Sequence, residues 1–163
     1  MDDNSGNPDL DYDTLMSLPY LEQCIHETLR IHPIAILERK CTKPYQFPGS
    51  SFVVPEGMMV TVPSSAVMKD PKNFPNPNTF NPDNFLPENK AGRSPYSFLS
   101  FGQGPRNCVG MRFALVQMKV AVTRLVLGFK VVPGEKTPKE IVHDARSLTG
   151  QPKGGSWVRL EKR

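Results

Sequence analysis

Cysteine is scarce in this chain of 163 residues. Only Cys24, Cys41 and Cys108 occur, an odd number with wide spacings and no Cys-x-x-Cys pair. That leaves a zinc site or a disulfide framework poorly supported, and a reducing compartment is the simplest context. Charge of one sign is also missing. The net charge is only +4 and is spread along the chain, too little to argue for nucleic acid but enough for a docking face toward an acidic protein. No apolar run opens the sequence. "MDDNSGNPDLDYDTL" is acidic and polar, neither a signal peptide nor a membrane span, so this chain is expected to carry no membrane anchor of its own. Internal repeats and low-complexity segments are absent, and His26, His32 and His143 have no partners at metal-ligand spacing.

What is present suffices for one domain with a real core, since 38% of the residues are hydrophobic. The 17 prolines assign much of the chain to loops. Residues 1–16 read as a flexible lead-in and 17–163 as the domain. Leu21, Cys24, Ile25, Thr28 and Leu29 fall at i, i+3, i+4, i+7 and i+8, predicting an amphipathic helix. Ser17 is its expected N-cap, Pro19 lies in its first turn, and Pro33 disfavours helix at His32. Residues 34–62 read as short strands, with turn signals at Pro48-Gly49 and Glu56-Gly57. A proline- and asparagine-rich meander over 64–95 is too long for an ordinary connection, and its Phe74, Phe80 and Phe85 predict packing against the domain. A second helix over 109–127 is apolar around most of its circumference. It should be largely buried, exposing one stripe of Arg112, Lys119 and Thr123 and another of Gln117 and Arg124. The tail reads as strands.

The stretch "SFLSFGQGPRNCVGMRFALVQMKVAV" sets one cysteine between a glycine loop and that helix. Cys108 could be a packed core residue, a zinc ligand, a nucleophile or the thiolate ligand of a haem iron. An iron-bound cysteine must be deprotonated, against an ordinary pKa of roughly 8.5. A helix start offers free N–H groups and the positive dipole end, which favour a sulfur anion. Flanking glycines let the backbone turn tightly and approach a flat ligand. Arg106 can pair with a carboxylate, and a haem carries two propionates. Phe101 could shield the sulfur from water.

Phe101-x-x-Gly104-x-Arg106-x-Cys108-x-Gly110 resembles the haem-binding signature of the cytochrome P450 monooxygenases, with all five fixed positions present. The likeness extends further. Glu27-Thr28-Leu29-Arg30 resembles the family's Glu-x-x-Arg helix, and Arg39 its second propionate-binding arginine. The segment "VPEGMMVTVPSSAVMKDPKNFPNPNTFNPDNF" is similar to its strand and meander. The tail is similar to insect microsomal members related to the vertebrate drug-metabolising group. The resemblance implies a mainly α fold with small β-sheets (α+β), of which this would be the C-terminal, proximal part. It implies haem b (iron protoporphyrin IX), with Cys108 as axial ligand to iron. Arg106, Arg39, Phe101, Gly102, Gly104, Gly110 and Ala114 would contact the cofactor, and Glu27, Arg30 and Asn84 would form a structural clamp.

The resemblance further implies an oxidoreductase that inserts one atom of dioxygen into an apolar small molecule. Electrons would come from NADPH through a reductase, for which Arg112, Lys119 and Arg124 are candidate docking residues. It places the intact protein at the endoplasmic reticulum membrane, on the cytosolic face. The sequence departs from the pattern where resembling proteins complete a Glu-Arg-Arg triad: Asn84 stands there, able to hydrogen-bond Glu27 but bringing no positive charge, so a weaker clamp is expected. Met68 replaces a frequent histidine, and the interval from Pro33 to Arg39 is one residue short. Resembling proteins are much longer, which raises the alternative of an inactive fragment that at most binds haem or a partner. Some haem-thiolate isomerases and dehydratases alter this loop, whereas "FGQGPRNCVG" has the ordinary monooxygenase form.

Overall fold

Proline brackets the first long helix. In the computed structural model, which describes residues 11–34, 36–147 and 149–163, α2 spans Pro19–Ile31. Pro19 occupies the first turn, where its missing N–H would have had no partner. Pro33 keeps His32 out of the helix, at φ −121° and ψ 70°. Ser17 does not cap this helix. It closes a preceding one, α1 (Tyr12–Met16), by donating its hydroxyl to the Thr14 carbonyl at 2.9 Å. Asp11 caps α1 by accepting from the Thr14 amide at 2.8 Å, and Leu15 is buried. Residues 11–16 therefore form a capped, anchored helix where a flexible lead-in was expected; residues 1–10 of that lead-in lie outside the described residues.

Three two-stranded antiparallel sheets follow among the described residues. β1 (Leu37–Lys40) will pair with a strand further on. Before it come β2 (Tyr45–Gln46) and β3 (Val53–Val54), which form a hairpin between them. β4 (Met59–Val62) then returns to β1 in the register Leu37↔Val62 and Arg39↔Val60. The turns fall where glycine permits positive φ, at Gly49 (74°) and Gly57 (84°).

The meander packs on α2 through α3 (Ser64–Met68) and a 3₁₀ turn over Pro82–Phe85, against which α4 (Pro87–Ala91) rests. Phe74 and Phe85 join Ile25, Leu29, Met68 and Leu99 in the core, while Phe80 stays exposed. The last helix, α5, spans Met111–Gly128. It leads into β5 (Phe129–Val132), which pairs with β6 (Arg159–Lys162). This is the expected α+β mixture.

The orientation of α5 corrects the sequence reading. Lys119 and Thr123 are its buried residues, whereas Phe113, Val120, Val122, Val126 and Leu127 are exposed. Its main contacts are with α1, α2 and β5, so the face turned to them is covered and the apolar remainder is not. No helix of the described residues is long and apolar enough to cross a membrane.

Candidate functional site

The glycine loop is built by backbone hydrogen bonds. The Gly102 amide donates to the Leu99 carbonyl at 3.0 Å, and the Cys108 amide donates to the Phe101 carbonyl at 2.7 Å, closing the loop on itself. Between them Gly102 (φ 71°) and Gly104 (φ 80°) take left-handed conformations that a side chain rarely adopts. A Cβ on Gly102 would lie 3.5 Å from the Asn107 Cα and 3.8 Å from the Leu37 Cδ2, so β1 lies directly behind the loop. Gly110 then caps α5, accepting the Ala114 amide at 2.9 Å. This route leaves Cys108 as an exposed free thiol at the start of an 18-residue helix.

Arginines stand on both sides of the loop. Arg39, on β1, donates to the Glu38 carbonyl at 2.7 Å and to the Arg106 carbonyl at 3.4 Å. The Arg39 and Arg106 side chains are both exposed. The structure thus brings Cys108, Arg106, Arg39, Phe101, Gly102, Gly104 and Gly110 together at one loop, with Ala114 one turn into α5. Arg112 and Arg124 are exposed. Lys119 is not: it is fully buried, and its ammonium donates to the Met16 carbonyl at 2.9 Å and to Glu22 at 2.8 Å. A lysine held this way cannot dock a partner.

Behind the loop, Glu27 and Arg30 are both 0% exposed and form a bidentate pair at 2.7 and 2.8 Å. Arg30 also donates to the carbonyls of Met68, Pro77 and Thr79, so all five of its N–H groups are used. Glu27 additionally accepts from the Asn81 amide at 2.9 Å and the Asn84 side chain at 3.1 Å. One carboxylate and one guanidinium therefore staple α2 to α3 and the meander. The staple reaches the loop through Ser100, whose hydroxyl donates to the Leu29 carbonyl at 3.0 Å. A cavity of about 370 Å³ adjoins the loop, lined among others by His26, Arg93, Phe98, Phe101 and Gly102. Burial lowers the pKa of His26, with Glu22 opposing.

Two features escaped the sequence reading. Arg93 packs over Phe74 and Phe85. His32 and His143 meet at 2.9 Å. Neither has a local signal: one is an isolated loop charge, and the other joins residues 111 positions apart.

A haem held through cysteine needs an accessible sulfur, a backbone that a planar ring can approach, and cations for its acid arms. An exposed Cys108, open space around the Gly104 and Gly110 Cα atoms, and the exposed Arg39 and Arg106 fit those needs. Such a loop on an α+β frame fits the class of haem-binding proteins. The family model for cytochrome P450 matches residues 2–158. "Cytochrome P450 9e2" of Blattella germanica is 39% identical over all of this chain and 31% of its own length. "Cytochrome P450 3A13" of Mus musculus is 46% identical over 77% of this chain and 25% of its own. "Probable cytochrome P450 6a21" of Drosophila melanogaster is 37% identical over 96% and 31%. This chain belongs to the cytochrome P450 family. It spans about a third or less of the length of these curated relatives.

Proposed function

We propose that this chain is the proximal, haem-binding part of a haem-thiolate monooxygenase, residues 17–163 belonging to that domain together with α1 (Tyr12–Met16). The observation that carries the reading is Cys108, held by its own amide while its sulfur stays exposed at the start of α5. Cys108 would hold the iron of haem b. Arg106 and Arg39 would receive the propionates, and Gly102, Gly104, Gly110 and Ala114 would admit the ring. Phe101 would limit water at the sulfur. Haem held there would supply oxygen-insertion chemistry, which electron donation from a cysteine sulfur would assist.

The protein's own residues set the conditions for that chemistry. The glycine turns would bring the backbone close to the ring, and the arginines would neutralise the cofactor's acids. Electrons from NADPH would arrive through an acidic reductase docking at exposed Arg112 and Arg124, and the substrate would be an apolar small molecule. The intact protein would act at the endoplasmic reticulum membrane, on its cytosolic side. A second reading, haem or partner binding without turnover by these 163 residues alone, is supported by the bare apolar surface of α5, where Phe113 is 68% exposed.

The test is the absorption spectrum of the reduced, carbon monoxide-bound protein supplied with haem. A red-shifted Soret band in the parent, absent in Cys108→Ala and Cys108→His, is expected. The same band surviving in either variant would remove Cys108 from this role.

A further inference from the structure

We propose that Arg93 is the second cation of the Glu27 clamp and positions the Cys108 loop, supplying the charge that Asn84 lacks. The inference rests on the proposed haem site for one of its two readouts. The clamp is short of charge on one side: Glu27 meets a single guanidinium, and the only other side chain on its carboxylate among the described residues is the neutral amide of Asn84. Arg93 approaches that same place from the segment between α4 and the loop. Its Nη2 donates to the Asn84 carbonyl. Its guanidinium carbon lies 4.3 Å from the centre of the Phe74 ring and 5.5 Å from that of Phe85. Arg30 lies 5.0 Å from the same Phe74 ring, so two guanidiniums share one fully buried aromatic.

Two cations so close would repel unless something between them is negative. The aromatic faces supply part of that attraction, and Glu27 the rest. Burial lowers the Arg93 pKa, Glu27 opposes that by favouring the charged form, and Arg30 adds to the lowering. A residue serving only to fill space on Phe74 would need no charge.

From Arg93 the chain passes through a 3₁₀ turn over Pro95–Ser97 to the loop, and its anchors follow in order. Phe98 packs at 4.9 Å on Phe85 and 5.3 Å on His26, and Ser100 bonds the Leu29 carbonyl. The Gln103 side chain reaches back to the Pro95 carbonyl at 3.1 Å. Arg93 is the first anchor of this run, so freeing it would pass slack to Phe101 and Gly102.

The test compares Arg93→Met, Arg93→Lys and the double variant Arg93→Met/Asn84→Arg in the whole chain. The first readout is the fraction of haem-loaded protein giving the thiolate-type carbon monoxide spectrum. A several-fold loss in Arg93→Met is expected, with partial retention in Arg93→Lys and recovery in the double variant. Arg93→Met behaving as the parent, or the double variant doing no better than Arg93→Met, would overturn the inference. If Arg93→Met does not fold, a folded double variant supports it and an unfolded one refutes it. Should the parent take up no haem, the proposed function fails instead, and the same ordering of variants, read from urea midpoints, still decides the case of Arg93.

Discussion

The Lys119 ammonium lies 2.8 Å from Glu22 Oε2 and 2.9 Å from the Met16 carbonyl, joining α5 to α2 and α1. The two partners are not equally placed: the Lys119 side chain is 0% exposed, that of Glu22 38%. Removing Glu22 strands a buried cation, whereas removing Lys119 leaves a carboxylate that water can reach. Glu22→Ala should therefore cost about 3 kcal/mol, near the lower end for breaking a buried pair. Lys119→Met, which keeps the apolar stem, should cost about 1 kcal/mol. Urea denaturation of both variants checks the order.

The same pair sets an acid limb. Burial raises the Glu22 pKa, but the hydrogen bond and charge of Lys119 outweigh it, leaving the carboxyl below its ordinary value. A carboxylate depressed on folding stabilises above its unfolded pKa of about 4.3, and that contribution is lost as pH falls through the folded value. The stability gap between the parent and Lys119→Met should narrow as the solution is acidified into that range, as followed by thermal unfolding.

His32 and His143 give a second pH dependence. The His143 Nδ1 sits 2.6 Å from the Gly150 carbonyl, which can only accept, so that nitrogen carries the proton. In the neutral ring, Nε2 is then left to accept from His32 Nδ1 at 2.9 Å. Burial lowers the His32 pKa, and the repulsion a protonated His143 ring would exert and the charge of Lys69 add to the lowering. A histidine depressed on folding binds protons more readily when unfolded, so stability declines as pH falls below about 6.5, down to the folded value. Acidification from about pH 7.5 to about 5.5 should lower Tm more in the parent than in His32→Asn, by calorimetry.

What could be read in advance was local. Pro19 and Pro33 bound α2, Gly49 and Gly57 mark the turns, and the spacing from Phe101 to Gly110 announces the loop, because each signal acts within a few residues. What could not be read depends on distant partners. Periodicity located the stripe of Lys119 and Thr123 on α5 but not which side α1 and α2 would cover, so the stripe was assigned to solvent when it faces protein. The same limit hid Arg93, whose stacking on Phe74 and Phe85 exists only once the meander has folded.

Phenylalanines of the meander look alike in sequence and differ in the fold. Phe74 is 0% exposed and Phe80 51%. Phe74→Ala should cost about 3–5 kcal/mol, cavity included. Phe80→Ala should stay within about 1 kcal/mol, since little apolar surface is withdrawn from water there. Chemical denaturation separates the two.

Gly110 allows the cofactor site to be probed apart from the fold. Its φ is −88°, which any residue can adopt, and a Cβ built there meets nothing within 4 Å. Gly110→Ala should then leave the urea midpoint nearly unchanged, within the roughly 1 kcal/mol that an N-cap exchange costs. If a porphyrin approaches the backbone at this point, the added methyl meets the ring instead of the protein, and haem should dissociate several-fold faster in a transfer assay to apomyoglobin. Gly104→Ala would not separate the two effects, because at φ 80° the loop itself is strained by a side chain. An unchanged haem off-rate in a stably folded Gly110→Ala would mean that the glycine serves only the turn into α5, and that the ring lies elsewhere.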